Sequence, residues 1–156
     1  LSFYKMPKVW RIVDLIQWSD SYFREKSHQN PRLEIEWMLC SLLNCERLDL
    51  YMRFDEPLSG SQLSTLRGWV KRRSKNEPLQ YITQSCEFYG IEFFVDKRVL
   101  IPRPETERLI DEAIKSIKHV RSPNIFDIGT VSGCIAIALA KEIENSNVIG
   151  IDKSIM

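Results

Sequence analysis

Residues 124–133 read NIFDIGTVSG, and the apolar run CIAIALA follows at residues 134–140. The first five residues predict a short buried strand, residues 129–133 predict a tight turn, and the apolar run predicts a helix. Residues 148–152 read VIGID and predict a second strand that ends in an acid. A strand, turn, helix and strand in this order begin a doubly wound parallel sheet. Such a sheet needs further strands, and because the sequence stops four residues after Asp152 we expect this unit to be incomplete.

The turn before the predicted helix has the chemistry of a binding loop. Gly129 can adopt backbone angles that a side chain forbids, and the helix begins with unpaired N–H groups and a partial positive charge. A phosphate or a carboxylate can therefore bind there. Asp152 lies 23 residues beyond Gly129, near the spacing of roughly 20 residues at which an acid reaches the hydroxyls of a ribose. The pattern indicates a ligand that contains adenosine.

The same residues leave two other interpretations open. A dinucleotide-binding turn carries a third glycine inside the helix, where this sequence has Ile135 and Ala136. S-adenosylmethionine is therefore favoured over NAD, and an NAD-dependent oxidoreductase remains the alternative enzyme. A Gly-x-x-x-Gly turn between a strand and a helix also occurs for packing alone, in which case the loop binds no cofactor.

The first half of the chain predicts a bundle of helices. Apolar periodicity predicts helices at about residues 8–25, 32–44 and 48–54. Ser59 followed by Gln62 forms a capping box, so a fourth helix should begin there. It should end in the basic run at residues 71–75, which we interpret as a solvated helix end rather than a contact for RNA phosphates.

The middle of the chain changes character. Residues 87–95, EFYGIEFFV, are aromatic and β-branched around a glycine, which predicts two short strands joined by a turn. Residues 99–107, VLIPRPETE, favour an extended approach to a helix that has Pro104 in its first turn and runs to about Lys118. We therefore expect a helical domain at residues 1–75, a linker with a β-hairpin at residues 76–96, and a partial α/β domain at residues 97–156.

The overall composition excludes several classes of protein. The chain has 156 residues, of which 44% are hydrophobic and 28% charged, as in ordinary globular proteins. Its formal net charge of +1 gives no bulk attraction to nucleic acid or to an anionic membrane. No run approaches the ~18 apolar residues of a transmembrane helix. The four cysteines and two histidines lack zinc-binding spacing, so we expect no metal and a reducing, cytosol-like compartment.

Four segments share the motifs of one enzyme family. They are PLQYI at residues 78–82, FYG at 88–90, LIPRPETE at 100–107 and DIGTVSGCIA at 127–136. With these motifs the chain resembles the release-factor glutamine methyltransferases, the HemK-type enzymes. The segment IPRPETE is highly specific, because few other methyltransferases place it before the glycine loop, whereas Arg72 and Arg73 match the helical domain of the family more loosely.

The resemblance implies a Rossmann-like class I methyltransferase domain preceded by a helical domain that helps to recognise a peptide-chain release factor. The cofactor would be S-adenosylmethionine. The backbone of Gly129, Thr130, Val131, Ser132 and Gly133 would bind it, with Asp152 on the ribose. Arg103, Glu105 and Thr106 would brace the pocket. The product would be a methylated side-chain amide on the glutamine of the release factor's Gly-Gly-Gln loop, formed in the cytoplasm, or in an organelle of a eukaryote.

Three features depart from the family's motifs. The glycine loop usually reads GTGSG, and here Val131 stands in the middle, where a positive φ would strain a β-branched residue by roughly 1–2 kcal/mol. Such strain corresponds to about tenfold in binding. Gln84 stands where the family usually has glycine. The family's Asn-Pro-Pro-Tyr motif, which positions the substrate amide, does not occur in this sequence; we assign no catalytic residue and expect a fragment that is inactive alone.

The helical half also permits a function without catalysis. In this alternative it is a protein-binding module that holds a release factor without any cofactor. No membrane and no direct nucleic-acid partner is expected in either case. His28 and His119 are interpreted as isolated residues of loops or helix ends, and no pair of a nucleophile and a histidine is recognisable.

Overall fold

The computed structural model describes residues 9–153, so the predicted start of the first helix at Lys8 lies outside the described residues. The chain forms two compact units, one of which ends at Thr83 while the other begins at Gln84. The hairpin of the expected linker at residues 76–96 lies in the second unit. The expected domain boundaries at residues 75 and 97 stay predictions.

The first unit consists of five helices. They are α1 (Ile12–Glu25), α2 (Pro31–Leu43), α3 (Arg47–Met52), α4 (Gly60–Arg73) and α5 (Leu79–Thr83). The capping box is confirmed, because Ser59 Oγ accepts from the Gln62 N–H at 3.3 Å and Gln62 Oε1 accepts from the Ser59 N–H at 2.8 Å. Helix α5 was not predicted, since five residues are too few to show a helical period.

Apolar side chains from all five helices form the core of this unit. The largest fully buried ones are Phe23, Ile12, Ile35, Met38, Leu39 and Leu50. Burial of each such side chain contributes about 1.5–3 kcal/mol. Helix α2 is central, because α1, α3, α4 and α5 all pack against it.

Two carboxylates of α2 lie inside the helical unit and are held by arginines. Glu36, of which 1% is exposed, accepts from Arg32 Nε at 2.8 Å, Arg47 Nε at 2.6 Å and the Tyr51 hydroxyl at 2.7 Å. These three donors replace the water that burial removes from the carboxylate.

Glu34 is the second of these carboxylates, and it joins distant parts of the chain. Arg73 donates to both of its oxygens, at 2.8 and 2.7 Å, and His28 Nδ1 lies 2.9 Å from Oε2. The interpretation of His28 as an isolated residue was therefore wrong. Part of the basic run is also paired within the chain, because Arg73 binds Glu34 with only 20% of its side chain exposed, and Arg72 pairs with Glu77 at 2.8 Å while 42% of its side chain stays exposed.

The second unit contains a hairpin and a strand-helix-strand segment. Its elements are β1 (Ser85–Phe88), β2 (Ile91–Phe94), a 3₁₀ turn (Pro104–Thr106), α6 (Glu107–Ile117), β3 (Asn124–Ile128), α7 (Cys134–Glu142) and β4 (Asn147–Ile151). Strands β1 and β2 pair antiparallel, with Ser85 opposite Phe94. Strands β3 and β4 pair parallel, with Asn124 opposite Asn147. The predicted β-loop-α-β unit is thus confirmed, whereas Pro104 begins a 3₁₀ turn rather than the α-helix itself.

The parallel pair leaves large apolar side chains exposed, so the prediction that its first strand is buried is wrong for the described residues. In the register Phe126 lies beside Ile149 and Ile128 beside Ile151, and all four are exposed, Ile128 to 81%. Within the described residues β3 and β4 form a sheet of two strands. The further strands of a doubly wound sheet therefore remain a prediction.

We predict that Arg73→Ala lowers the free energy of unfolding of the helical unit by about 3 kcal/mol at neutral pH, because Glu34 stays buried without its bidentate partner. Burial favours a raised pKa for Glu34, but the contacts with Arg73 and His28 outweigh it and hold the pKa below its ordinary value of 4.5. The wild-type chain therefore loses this stabilisation as the pH falls from 4.5 through the lowered pKa of Glu34, because Glu34 is then protonated. The difference between variant and wild type at neutral pH should therefore shrink in acid, below pH 4.5.

Urea unfolding followed by tryptophan fluorescence measures this difference, since Trp10, Trp18, Trp37 and Trp69 all lie in the first unit. Lys71→Ala, an exposed cation on the same helix, is the matched control and should stay within about 0.5 kcal/mol of the wild type. A loss of equal size at neutral and at acid pH would contradict the ion pair of Glu34 and Arg73 as the cause.

Candidate cofactor-binding site

The loop between β3 and α7 is fastened to the end of β4 by its backbone. The N–H groups of Gly129 and Thr130 both donate to the carbonyl of Ile151, at 2.7 and 3.1 Å. The Gly133 N–H donates to the carbonyl of Thr130 at 2.7 Å, which closes the turn. Gly129 and Gly133 have φ values of +81° and +77°, in the left-handed region that glycine adopts without strain.

Val131 adopts the strained conformation that the sequence analysis considered. Its φ is +51°, where a β-branched side chain carries a penalty of roughly 1–2 kcal/mol. The side chain is 44% exposed and stands on the surface of the loop. Gln84, the other departure from the family's glycines, has a φ of +59°. At both positions the usual glycine matches the backbone that the chain adopts.

Asp152 faces the loop. Its Oδ2 accepts a hydrogen bond from the Val131 N–H at 2.9 Å, just beyond the end of β4. The acid at the end of the second strand and the glycine turn after the first one therefore meet, as their spacing suggested.

Asp127 is a member of the site that the sequence analysis did not single out. Its Oδ2 accepts from the Thr130 hydroxyl at 2.7 Å and from the Ala136 N–H at 3.2 Å. Ala136 lies in the first turn of α7, so the carboxylate of a strand caps the helix that follows. The signal was an acid in an otherwise apolar strand, two residues before the glycine turn.

The helix terminus also retains donors. Among residues 9–153, the backbone N–H groups of Ser132, Cys134 and Ile135 have no acceptor, and Asp127 Oδ1 has no donor. Unpaired N–H groups at the start of a helix bind a carboxylate, and the oxygen of an acid binds an ammonium group. The loop therefore offers complementary partners for both charges of an amino-acid group.

Thr130 is held between Asp127 and β4. A Cβ added to Gly150 would lie 2.9 Å from Thr130 Oγ1 and 3.1 Å from its Cβ and Cγ2. Gly150 is therefore needed for the close approach of the loop to the strand. It is a second member of the site that sequence reasoning missed, since a glycine within a strand gives no indication of its neighbour.

The IPRPETE segment makes its contacts with the hairpin. Glu107 Oε1 accepts from the Tyr89 N–H at 2.9 Å, and Asp111 accepts from the Tyr89 hydroxyl at 2.8 Å. For Arg103, Glu105 and Thr106, no hydrogen bond to residues 129–133 occurs in the part of the chain that the structure describes. Their role at the pocket stays a prediction.

Within residues 9–153, no group of three or more His, Cys, Asp or Glu side chains is placed to hold a metal ion. No described helix has the length and apolar character needed to cross a membrane.

The second unit thus has a parallel strand pair with a glycine turn at a helix terminus and an acid after the second strand, an arrangement in which α/β proteins commonly bind cofactors. Residues 14–83 match the family described as the PrmC N-terminal domain. The relatives include the release factor glutamine methyltransferase of Geobacter sulfurreducens, which is 44% identical over 95% of this chain and 51% of its own length. Those of Chlorobaculum tepidum and Rhodopirellula baltica are 41% and 39% identical, over 94% of this chain and 52% and 51% of their own lengths.

These matches confirm the resemblance that the motifs indicated. Over 94–95% of its length the chain is similar to release factor glutamine methyltransferases, and its helical unit matches the PrmC N-terminal domain. It spans about half the length of the curated relatives that it matches. What the whole protein does is therefore proposed below.

We predict that Gly150→Ala destabilises the second unit by about 1–3 kcal/mol, because the new methyl group would push Thr130 away from Asp127. Hydrogen exchange of the paired β3 and β4 amides measures the loss. Gly68→Ala is the matched control, since a Cβ there meets no atom within 4 Å and alanine favours a helix by about 0.5–1 kcal/mol. Unchanged exchange in Gly150→Ala would show that Thr130 does not depend on this approach.

Proposed function

We propose that the protein transfers a methyl group from S-adenosylmethionine to the glutamine side-chain amide in the Gly-Gly-Gln loop of a peptide-chain release factor. The names of the relatives support a release factor as the substrate and methyl transfer as the reaction. The second unit would hold the cofactor as the start of a Rossmann-like domain, and the helical unit would contribute to recognition of the release factor.

The position of Asp127 is the observation that carries the choice of cofactor. Its carboxylate already lies at the N-terminus of α7, on the Ala136 N–H. A dinucleotide would bring a pyrophosphate to that place, and two like charges about 4 Å apart repel each other by about 1 kcal/mol in water and about 4 kcal/mol near a protein surface. The amino-acid group of S-adenosylmethionine is a zwitterion, whose ammonium the same carboxylate attracts.

The residues of the loop fit such a group. We propose that the N–H groups of Ser132, Cys134 and Ile135 hold its carboxylate, that Asp127 holds its ammonium, and that Asp152 holds the ribose hydroxyls. Gly129, Thr130, Val131 and Gly133 form the backbone of the loop around it. When bound, S-adenosylmethionine would supply a methyl group on a positively charged sulfur: the methyl carbon would bond to the nucleophile as its bond to sulfur breaks, with S-adenosylhomocysteine as the leaving group.

The acceptor is a difficult nucleophile. The lone pair of an amide nitrogen is delocalised into the carbonyl, so the rate depends mainly on holding that nitrogen in line with the methyl group. No residue of this chain is assigned to that task, and the sequence has no Asn-Pro-Pro-Tyr motif. We therefore propose that the chain on its own binds the cofactor but does not transfer the methyl group.

We also propose that the reaction takes place in a reducing cytoplasm. The four cysteines are free thiols, and burial raises the pKa of Cys40 to about 11, so that thiol stays protonated at neutral pH. Such thiols are compatible with a reducing cytoplasm, where release factors act.

We predict that S-adenosylhomocysteine binds the chain at least tenfold more tightly than NADH, because Asp127 opposes a pyrophosphate. Val131→Gly should tighten S-adenosylhomocysteine binding by up to about tenfold, since it removes both a strained φ and a side chain from the approach to the loop. Titration calorimetry measures both affinities. Val131→Ala is the matched control, because it keeps the strained backbone and removes only the branch.

The same titrations distinguish the proposed function from its alternatives. Binding of NADH without S-adenosylhomocysteine would replace the proposal by a nicotinamide-dependent oxidoreductase. If neither ligand binds, or if Val131→Gly leaves the affinity unchanged or weakens it, the loop has a structural role. Retention of a release factor without any cofactor bound would favour the protein-binding module.

A further inference from the structure

The helical unit contains an open apolar groove of about 140 Å³. Trp10 and Trp18 line one side, and residues of α4, including Leu63 and Arg67, line the other. The Trp18 ring stacks on Tyr22 at a centroid distance of 5.3 Å and meets Trp10 edge to face at 6.1 Å. The aromatic wall is therefore held in place by ring contacts of its own.

Arg67 differs from the other arginines of this unit. Seven of them pair with carboxylates of the chain: Arg11, Arg24, Arg32, Arg47, Arg53, Arg72 and Arg73. Within residues 9–153, Arg67 has no ion pair and no side-chain hydrogen bond. An unpaired guanidinium at the edge of an apolar groove is complementary to a carboxylate that arrives with an apolar group.

The size of the groove limits what enters it. A cavity of roughly 150 Å³ admits one benzene ring, so the groove has room for one large apolar side chain. Peptides that dock on helical domains present such anchors beside charged residues. A lysine next to the anchor would meet the positive charge of Arg67, whereas an acid would pair with it.

We propose that this groove binds a peptide segment of the protein substrate in which a large apolar side chain stands next to an Asp or Glu. The apolar side chain lies between Trp18 and Leu63, and the acid pairs with Arg67. The identity of the peptide as part of the substrate rests on the proposed function. The groove itself lies in the helical unit and uses none of the residues assigned to the cofactor.

The test uses three blocked tetrapeptides and the whole chain. They are acetyl-Gly-Phe-Glu-Gly-amide, the Gln analogue of the acid, and the Ala analogue of the phenylalanine. Binding is followed by the indole N–H resonances of the four tryptophans. The Phe-Glu peptide should shift Trp10 and Trp18 rather than Trp37 and Trp69, and should bind about tenfold more tightly than either analogue.

Two variants test whether the acid of the peptide pairs with Arg67. Arg67→Glu should abolish the preference for Glu over Gln, while Lys71→Glu, an exposed cation one turn further along α4, should keep it. Both side chains are exposed, so thermal unfolding should be unchanged and a loss of binding reports the groove. Equal affinity for the Glu and Gln peptides in the wild type, or shifts confined to Trp37 and Trp69, would overturn the proposal.

A parallel titration with S-adenosylhomocysteine separates this proposal from the proposed function. Binding of S-adenosylhomocysteine without binding of the Phe-Glu peptide overturns the groove alone. Binding of the peptide without S-adenosylhomocysteine leaves the groove as a peptide site and overturns the methyl-transfer proposal.

Discussion

The carboxylate of Asp127 at the N-terminus of α7 is the interaction on which the candidate site depends. It accepts from the Thr130 hydroxyl and from the Ala136 N–H, so it fixes both ends of the loop at once. Thr130 in turn packs over Gly150, which ties the loop to the second strand. The same negative charge opposes a phosphate and attracts an ammonium group. The local stability of the loop and the proposed choice of cofactor thus depend on the same side chain.

Charged and polar groups differ in whether the chain itself supplies their partners. Inside the helical unit, Glu34 and Glu36 receive enough donors from arginine, histidine and tyrosine to satisfy their buried oxygens. These contacts stabilise the packing of the helices around α2 and leave nothing for a ligand. Among the described residues, Arg67 beside the groove and three N–H groups at the start of α7 instead have no partner within the chain. Binding is expected where the chain leaves its polar groups unsatisfied.

Local features of the sequence predicted most of the fold. The capping box at Ser59 and the strand, turn, helix and strand from Asn124 to Ile151 depend on neighbours within a few residues, and the structure has them there. Contacts that join distant residues could not be predicted in this way. The pair of Glu34 and Arg73 spans 39 residues, and the approach of Gly150 to Thr130 exists only once the strands have paired. Val131 is an intermediate case. Its position in the glycine loop follows from the sequence, whereas its positive φ is a property of the folded loop.

The central claim is that S-adenosylmethionine binds at the loop of residues 129–133 and the first turn of α7. Amide hydrogen exchange of the chain with and without S-adenosylhomocysteine tests this directly, because each amide reports its own protection. We expect slower amide exchange at Ser132, Cys134 and Ile135 when S-adenosylhomocysteine is present, with little change in the helices α1 to α5. Bound ligand with unchanged exchange at these three amides, or with protection confined to the helical unit, would contradict it.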